Sequence, residues 1–118
     1  MENIIEKKRE FLEDNLSRIN DLISTKLGFK TNLQIVEKKN YRGKKYFSIE
    51  DNTNIREMCG VIKYAFKYVY IYTSHIFFDE DVQNIQIEFD FGYVHIDGGM
   101  NGAVFCNLVI KDGEITEV

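Results

Sequence analysis

Glu88, Asp90, His95 and Asp97 fall within ten residues of one another and are the side chains best suited to chemistry in this chain. Ile85, Ile87, Phe89 and Phe91 alternate with Asn84, Gln86, Glu88 and Asp90, the period of a half-buried strand with one polar face. Past Gly92 the parity changes: Val94 and Ile96 are apolar, His95 and Asp97 polar. A bulge at Gly92 or Tyr93 gives that change, and so does a two-residue hairpin turn with glycine first. Both place the three carboxylates and the imidazole on one face. Such a group can pass protons or hold a cation, because crowded carboxylates bind protons more tightly and a neighbouring carboxylate orients an imidazole. It equally suits a solvated recognition face. In the hairpin alternative, His95 opposite Asp90 is an ordinary cross-strand ion pair worth ~1 kcal/mol or less. The rest of the sequence favours recognition.

Other groupings fit site chemistry less well. Asp79, Glu80 and Asp81 offer consecutive oxygen ligands, but a calcium loop counted from Asp79 needs glycine sixth and glutamate twelfth, where Asn84 and Asp90 stand. They read instead as an acidic loop joined to the recognition face. His75, His95, Cys59 and Cys106 lack the close paired spacing of zinc ligands, and no glycine-rich phosphate loop opens a helix. No metal or cofactor is therefore expected. Cys59 and Cys106 each sit among apolar neighbours and are expected as buried, reduced thiols.

Tyr68, Tyr70 and Tyr72, two residues apart, line one face of a strand, and tyrosine joins apolar area to a polar tip in the way interfaces use. They are added to the candidate surface. A second candidate is basic: Lys38, Lys39, Tyr41, Arg42, Lys44 and Lys45 cluster at a hairpin tip, with cations for phosphate and an aromatic for stacking. The acidic remainder, with a pI near 5.2, opposes a polyanion. Direct nucleic-acid binding is thus disfavoured, and the tip is left to an acidic patch on another copy or another protein.

These residues need a frame. Asn3 to Leu27 read as one long amphipathic helix, with Ile5, Leu12, Leu16, Ile19, Ile23 and Leu27 in one stripe and Gly28 as its stop, Phe29 folding back on Ile23. By its rise it is about 37 Å long, so its first turns are expected to overhang the core. A hairpin follows, with Leu33, Ile35 and, across the turn, Tyr46 or Phe47 and Ile49 alternating with polar residues, and a polar connection from Lys38 to Lys45 relieved by Gly43. Asn54 with Glu57 has capping-box spacing, and Ile55, Met58, Cys59, Ile62 and Phe66 form the stripe of a second helix. Tyr68 to Thr73 favour strand over helix by composition. Ala103 to Ile110 read as a covered strand, and Asp112-Gly113 as a type I′ hairpin turn returning Ile115 to Val118. The expected architecture is α+β: a single domain over 1–118, with two helices on a predominantly antiparallel sheet of five to seven strands.

Charge supplies the direction of the functional reading. Residues 1–69 carry 14 Lys/Arg against 10 Asp/Glu, whereas 70–118 carry one Lys against nine Asp/Glu. A surface of one sign steers partners of the other. With no membrane-length apolar run, a charged start and a lysine-rich composition that suits an AT-rich bacterial or phage genome, the chain reads as cytoplasmic. A charged, aromatic-rich sheet without nucleophile, metal cluster or cofactor loop points to binding rather than catalysis. An inhibitor of a basic-surfaced protein fits, such as an immunity protein blocking a nuclease toxin or a phage-encoded blocker of a nucleic-acid-handling protein. The alternative is a cone-shaped domain that binds a small ligand or acts as a small enzyme, with Tyr72, Glu88, Asp90, His95 and Asp97 lining a sheet pocket. A homo-oligomer is a further possibility.

Overall fold

In the computed structural model the backbone is described for residues 3–28, 30–54, 66–95 and 100–118, and the side chains for these except at 3, 52–54, 66–69, 93–95, 100 and 101. The N-terminal stripe forms α1 (Asn3–Leu27) as its periodicity requires. Leu12, Ile19 and Ile23 are fully buried, while Ile4 and Ile5 remain more than a third exposed, so the first turn overhangs the core as its length suggested. Gly28 ends the helix at φ +81°, its N–H donating to the Ser24 carbonyl. The expected contact of Phe29 lies outside the described residues.

The loop after α1 is tied back by side chains. Asn20 Oδ1 accepts from the Thr31 hydroxyl at 2.7 Å and from the Leu33 N–H at 3.0 Å, and Ser24 Oγ accepts from the Thr31 N–H at 2.9 Å. Thr31 is buried, so these bonds meet polar groups that water cannot reach.

Six antiparallel strands follow: β1 (Gln34–Lys39), β2 (Lys45–Asn54), β3 (Phe66–Phe78), β4 (Ile85–His95), β5 (Met100–Lys111) and β6 (Glu114–Glu117). Their order in the sheet is their order in the chain. The β1–β2 turn is built by Asn40, whose Oδ1 accepts from the N–H groups of Arg42 and Lys44, with Gly43 at φ +79°. Asp112 and Gly113 both adopt positive φ, at 52° and 81°, which is the type I′ geometry the Asp-Gly pair called for.

The strand count and the antiparallel arrangement agree with expectation; the helix count does not. Among the described residues there is one helix. Asn54, expected to cap a second, instead ends β2 opposite Tyr68, and Phe66 opens β3. The intervening residues 55–65 of the expected second helix, Cys59 included, lie outside the described residues. A short polar side chain suits a strand end as well as a helix cap, and cross-strand pairing decides between them.

Gly92 marks neither a turn nor a bulge. Strand β4 runs through it in unbroken register, Tyr70, Val69 and Tyr68 of β3 pairing with Gly92, Tyr93 and Val94. The interruptions lie in its neighbours: in β3, Lys67 is the extra residue between the pairs Phe66–His95 and Tyr68–Val94 and Ser74 between Thr73–Phe89 and His75–Glu88, and in β5 Phe105 is the extra residue between Cys106–Phe89 and Val104–Asp90. A bulge in a neighbouring strand leaves no trace in the parity of the strand it pairs with.

The core lies between α1 and one face of the sheet. Ile49, Ile71, Ile87, Phe89, Leu108 and Ile110 are almost wholly buried there, against Leu12, Ile19 and Ile23. Phe105 packs its ring beside Phe89 and Phe91, with centroids 6.5 and 5.6 Å away. No helix among the described residues is long and apolar enough to cross a membrane.

Candidate recognition face

Alternation along β4 fixes where the carboxylates point. Ile87 and Phe89 face α1, so Glu88 and Asp90 face away from it, on the outer side of the sheet. They therefore do not line a cavity beneath the helix. Tyr72 pairs directly with Asp90 and Tyr70 with Gly92, which brings two of the three candidate tyrosines to the same outer face. The side chains of Tyr68 and His95 are not among those described, and Asp97 lies outside the described residues altogether. Strand β4 runs through Gly92 without the bulge or turn on which the common face was argued, and among the described side chains it brings Glu88 and Asp90 to one face.

At the centre of the face, the Tyr72 hydroxyl shares a hydrogen bond with the Asp90 carboxylate. Desolvation, then the charge of Asp90 and that hydrogen bond, raise the phenol above its ordinary pKa. The phenol lies over a floor of glycine: Gly92 pairs with Gly102, and a Cβ added at Gly102 would come within 3.1 Å of the Tyr72 hydroxyl oxygen. Two side-chain-free residues side by side make room for a ring to lean across the sheet. Asp90 Oδ1 is buried and, among the described residues, has no hydrogen-bond partner. An unpaired buried carboxylate oxygen is unfavourable, and its negative end favours an incoming donor. Val104, which pairs with Asp90 from β5, is 49% exposed beside it.

Glu88 has different company. Its Oε1 accepts from the Ser74 hydroxyl at 2.7 Å and lies 3.2 Å from His75 Nδ1. The Ser74 bond first, and His75 second, lower the carboxyl below its usual range. Both groups meet the same oxygen of Glu88, an arrangement that holds a carboxylate in place rather than a relay from base to nucleophile. His75 stacks on Phe77, with ring centroids 5.4 Å apart and planes 8° from parallel, and Phe77 is 57% exposed. His75 was missed as a member of this face because the β3 bulge at Ser74 reverses its parity, whereas Ser74 keeps that of Tyr70 and Tyr72; a serine-histidine pair midway along an apolar strand was the available signal.

The acidic loop is partly structural. Asp79 Oδ1 accepts from the Gln83 N–H at 2.8 Å and Oδ2 from the Asn84 side chain at 3.0 Å, closing the β3–β4 connection. The Gln83 bond is the main reason its carboxyl titrates low. Glu80 and Asp81 are exposed. No cluster of metal-ligating side chains occurs among the described residues.

At the basic tip, Lys38 pairs with Glu50, and Lys45 lies 3.7 Å from Glu37. Arg42 covers the ring of Tyr41, which is 89% exposed. On the helix side of the sheet Cys106 is buried, and burial pushes its thiol up to about 11. Set against known protein families, curated proteins and solved structures, the chain matches none of them.

Proposed function

We propose that this protein works by binding a basic-surfaced protein partner through the outer face of β3, β4 and β5, as an inhibitor of the immunity-protein or phage-blocker type. The observation that carries this reading is the Tyr72–Asp90 pair, with one carboxylate oxygen unpartnered among the described residues on a sheet face that α1 does not cover. A lysine or arginine of the partner reaching Asp90 would supply the missing donor, and Arg is the side chain best shaped to do so. Tyr72 offers the apolar body and polar tip that binding hot spots use, and Val104 and Phe77 add exposed apolar area around it. The excess of acid over base beyond Val69 would speed the approach of a cationic partner.

The test is capture of the partner from the source cell, followed by measurement with Asp90→Asn and Tyr72→Phe. Both variants keep side-chain volume, so folding is preserved while the charge or the hydroxyl is lost. Affinity is expected to fall at least tenfold in Asp90→Asn. Unchanged affinity in both variants, with the fold intact, would remove this face from the interaction.

A further inference from the structure

The sheet forks. Strand β2 pairs with β1 through Lys45 to Glu50 and with β3 only through Asp51 to Asn54. At the point of divergence the ladder is replaced by a side chain: the Ile49 N–H donates to Thr73 Oγ1 at 3.2 Å, and Thr73 Oγ1 lies 3.0 Å from Ser48 Oγ. A hydroxyl between two backbones holds them farther apart than a direct bond would. The β3 bulge at Ser74 falls at the same level and bends β3 away from β2. From Ser74 to Phe78, β3 pairs with β4 on one side and, among the described residues, with nothing on the other.

A cleft of about 300 Å³ opens between the arms of the fork. Tyr46 and Phe47 form one wall, Ile76 and Phe78 the other, and Ile5 from the overhanging first turn of α1 closes one end. Three lysines line it, Lys8, Lys44 and Lys45, and among the described residues no carboxylate does. Lys8 is held over the Phe78 ring, 5.1 Å from its centroid. Neither Lys8 nor Lys44 has an ion-pair partner among the described residues, whereas Lys45 has Glu37 at 3.7 Å.

We propose that this cleft is a docking site for an extended acidic peptide segment of a partner protein, which adds as a strand to the open edge of β3 with its carboxylates against Lys8 and Lys44. Three features converge on that occupant. An unpaired strand edge offers backbone donors and acceptors that only another extended backbone can satisfy in series. The apolar walls suit alternate side chains of such a strand, and the lysines set the sign of the others. This site adjoins the outer face, Ser74 and His75 bordering both, but takes a partner of opposite charge.

The experiment is a titration of the full chain, isotope-labelled, followed through its backbone amide resonances. The probes are the blocked peptide Glu-Val-Glu-Val-Glu, the same peptide N-methylated at alternate residues, its lysine-for-glutamate counterpart, and inorganic phosphate. The acidic peptide is expected to shift the amides of Ser74 to Phe78 and of Lys44 to Phe47. N-methylation and the lysine peptide should each weaken binding at least tenfold. Lys44→Glu, on an exposed turn where folding is not at risk, should do the same, as should Lys8→Glu. Equal binding of the N-methylated peptide overturns strand addition. Equal binding of phosphate at the same amides overturns it in favour of a simple anion site. No shift at millimolar acidic peptide overturns the proposal entirely.

Discussion

Tyr72 is the residue on which most can be measured. Its phenol is raised by desolvation and by Asp90, so the neutral form is favoured in the folded chain. A group whose folded pKa lies above its unfolded value contributes stability that is complete below the unfolded value, about 10 for tyrosine, and is lost as pH rises through the folded one. Melting temperature should therefore fall above pH 10 more steeply in the parent than in Tyr72→Phe. In Asp90→Asn the Tyr72 absorbance titration should move down towards the ordinary value without reaching it, because desolvation remains. An unchanged Tyr72 titration in Asp90→Asn would break the Tyr72–Asp90 assignment. Cys106 gives a second residue-scale expectation. With its pKa near 11 and the sulfur buried, thiolate at pH 8 is on the order of one part in a thousand. Alkylation in the native state should be far slower than in denaturant, and similar rates in the two would contradict its burial.

At the scale of elements, two polar contacts replace what backbone pairing does elsewhere. Thr73→Val removes the hydroxyl that accepts from Ile49 and neighbours Ser48, leaving buried groups unpaired, and should cost about 1–3 kcal/mol in urea unfolding. Asn20→Ala strips partners from Thr31 and Leu33 and should cost about the same. Loss of less than about 0.5 kcal/mol in either would show that water substitutes there. These contacts also mark the limit of what sequence conveys. The α1 stripe, the Asp112-Gly113 turn and the alternation from Ile85 to Phe91 were legible because each is a local pattern with a local cause. The reach of β3 past Thr73 was not, since Ser74 breaks the alternation and only the pairing with β4 restores it beyond. Likewise Glu88 and Asp90 were legible as neighbours on a polar face, and Tyr72 as a companion by type. The partnership of His75 with Glu88 and the glycine floor of Gly92 and Gly102 depend on register between strands, which composition does not encode.

For the whole molecule, the two charge halves of the chain meet in the fold. Lys26 bonds Glu117 at 2.5 Å and Arg18 donates to the Gly113 carbonyl at 2.7 Å, so two cations of α1, an element whose own charges balance, hold the acidic last hairpin. Stability should decline in acid. Asp79 and Glu88 both titrate below their ordinary values, so their contribution is present above about pH 4 and is lost as pH falls through the folded values. The acid limb of the melting curve should be shallower in Asp79→Asn, and an unchanged limb would mean that other carboxylates carry it. Partner association through the outer face should slow as salt is added, since exposed charges are screened within about 8 Å at physiological ionic strength. A salt-independent on-rate would remove electrostatic steering.

The strand order of the sheet bears on how the chain is born. Each strand pairs with its neighbour in sequence, so the sheet can assemble hairpin by hairpin as it leaves the ribosome. The helix cannot. It is made first, yet its partners Gly113 and Glu117 are made last, some 90 residues later. At roughly 5–20 residues per second, the apolar stripe of Leu12, Ile19 and Ile23 waits on the order of 5–20 s before its seat is complete. Until then the nascent chain presents an incompletely covered amphipathic helix, the kind of surface that holding chaperones take up, and a stalled or truncated product lacking β4 and β5, which carry most of its apolar seat, would keep presenting it.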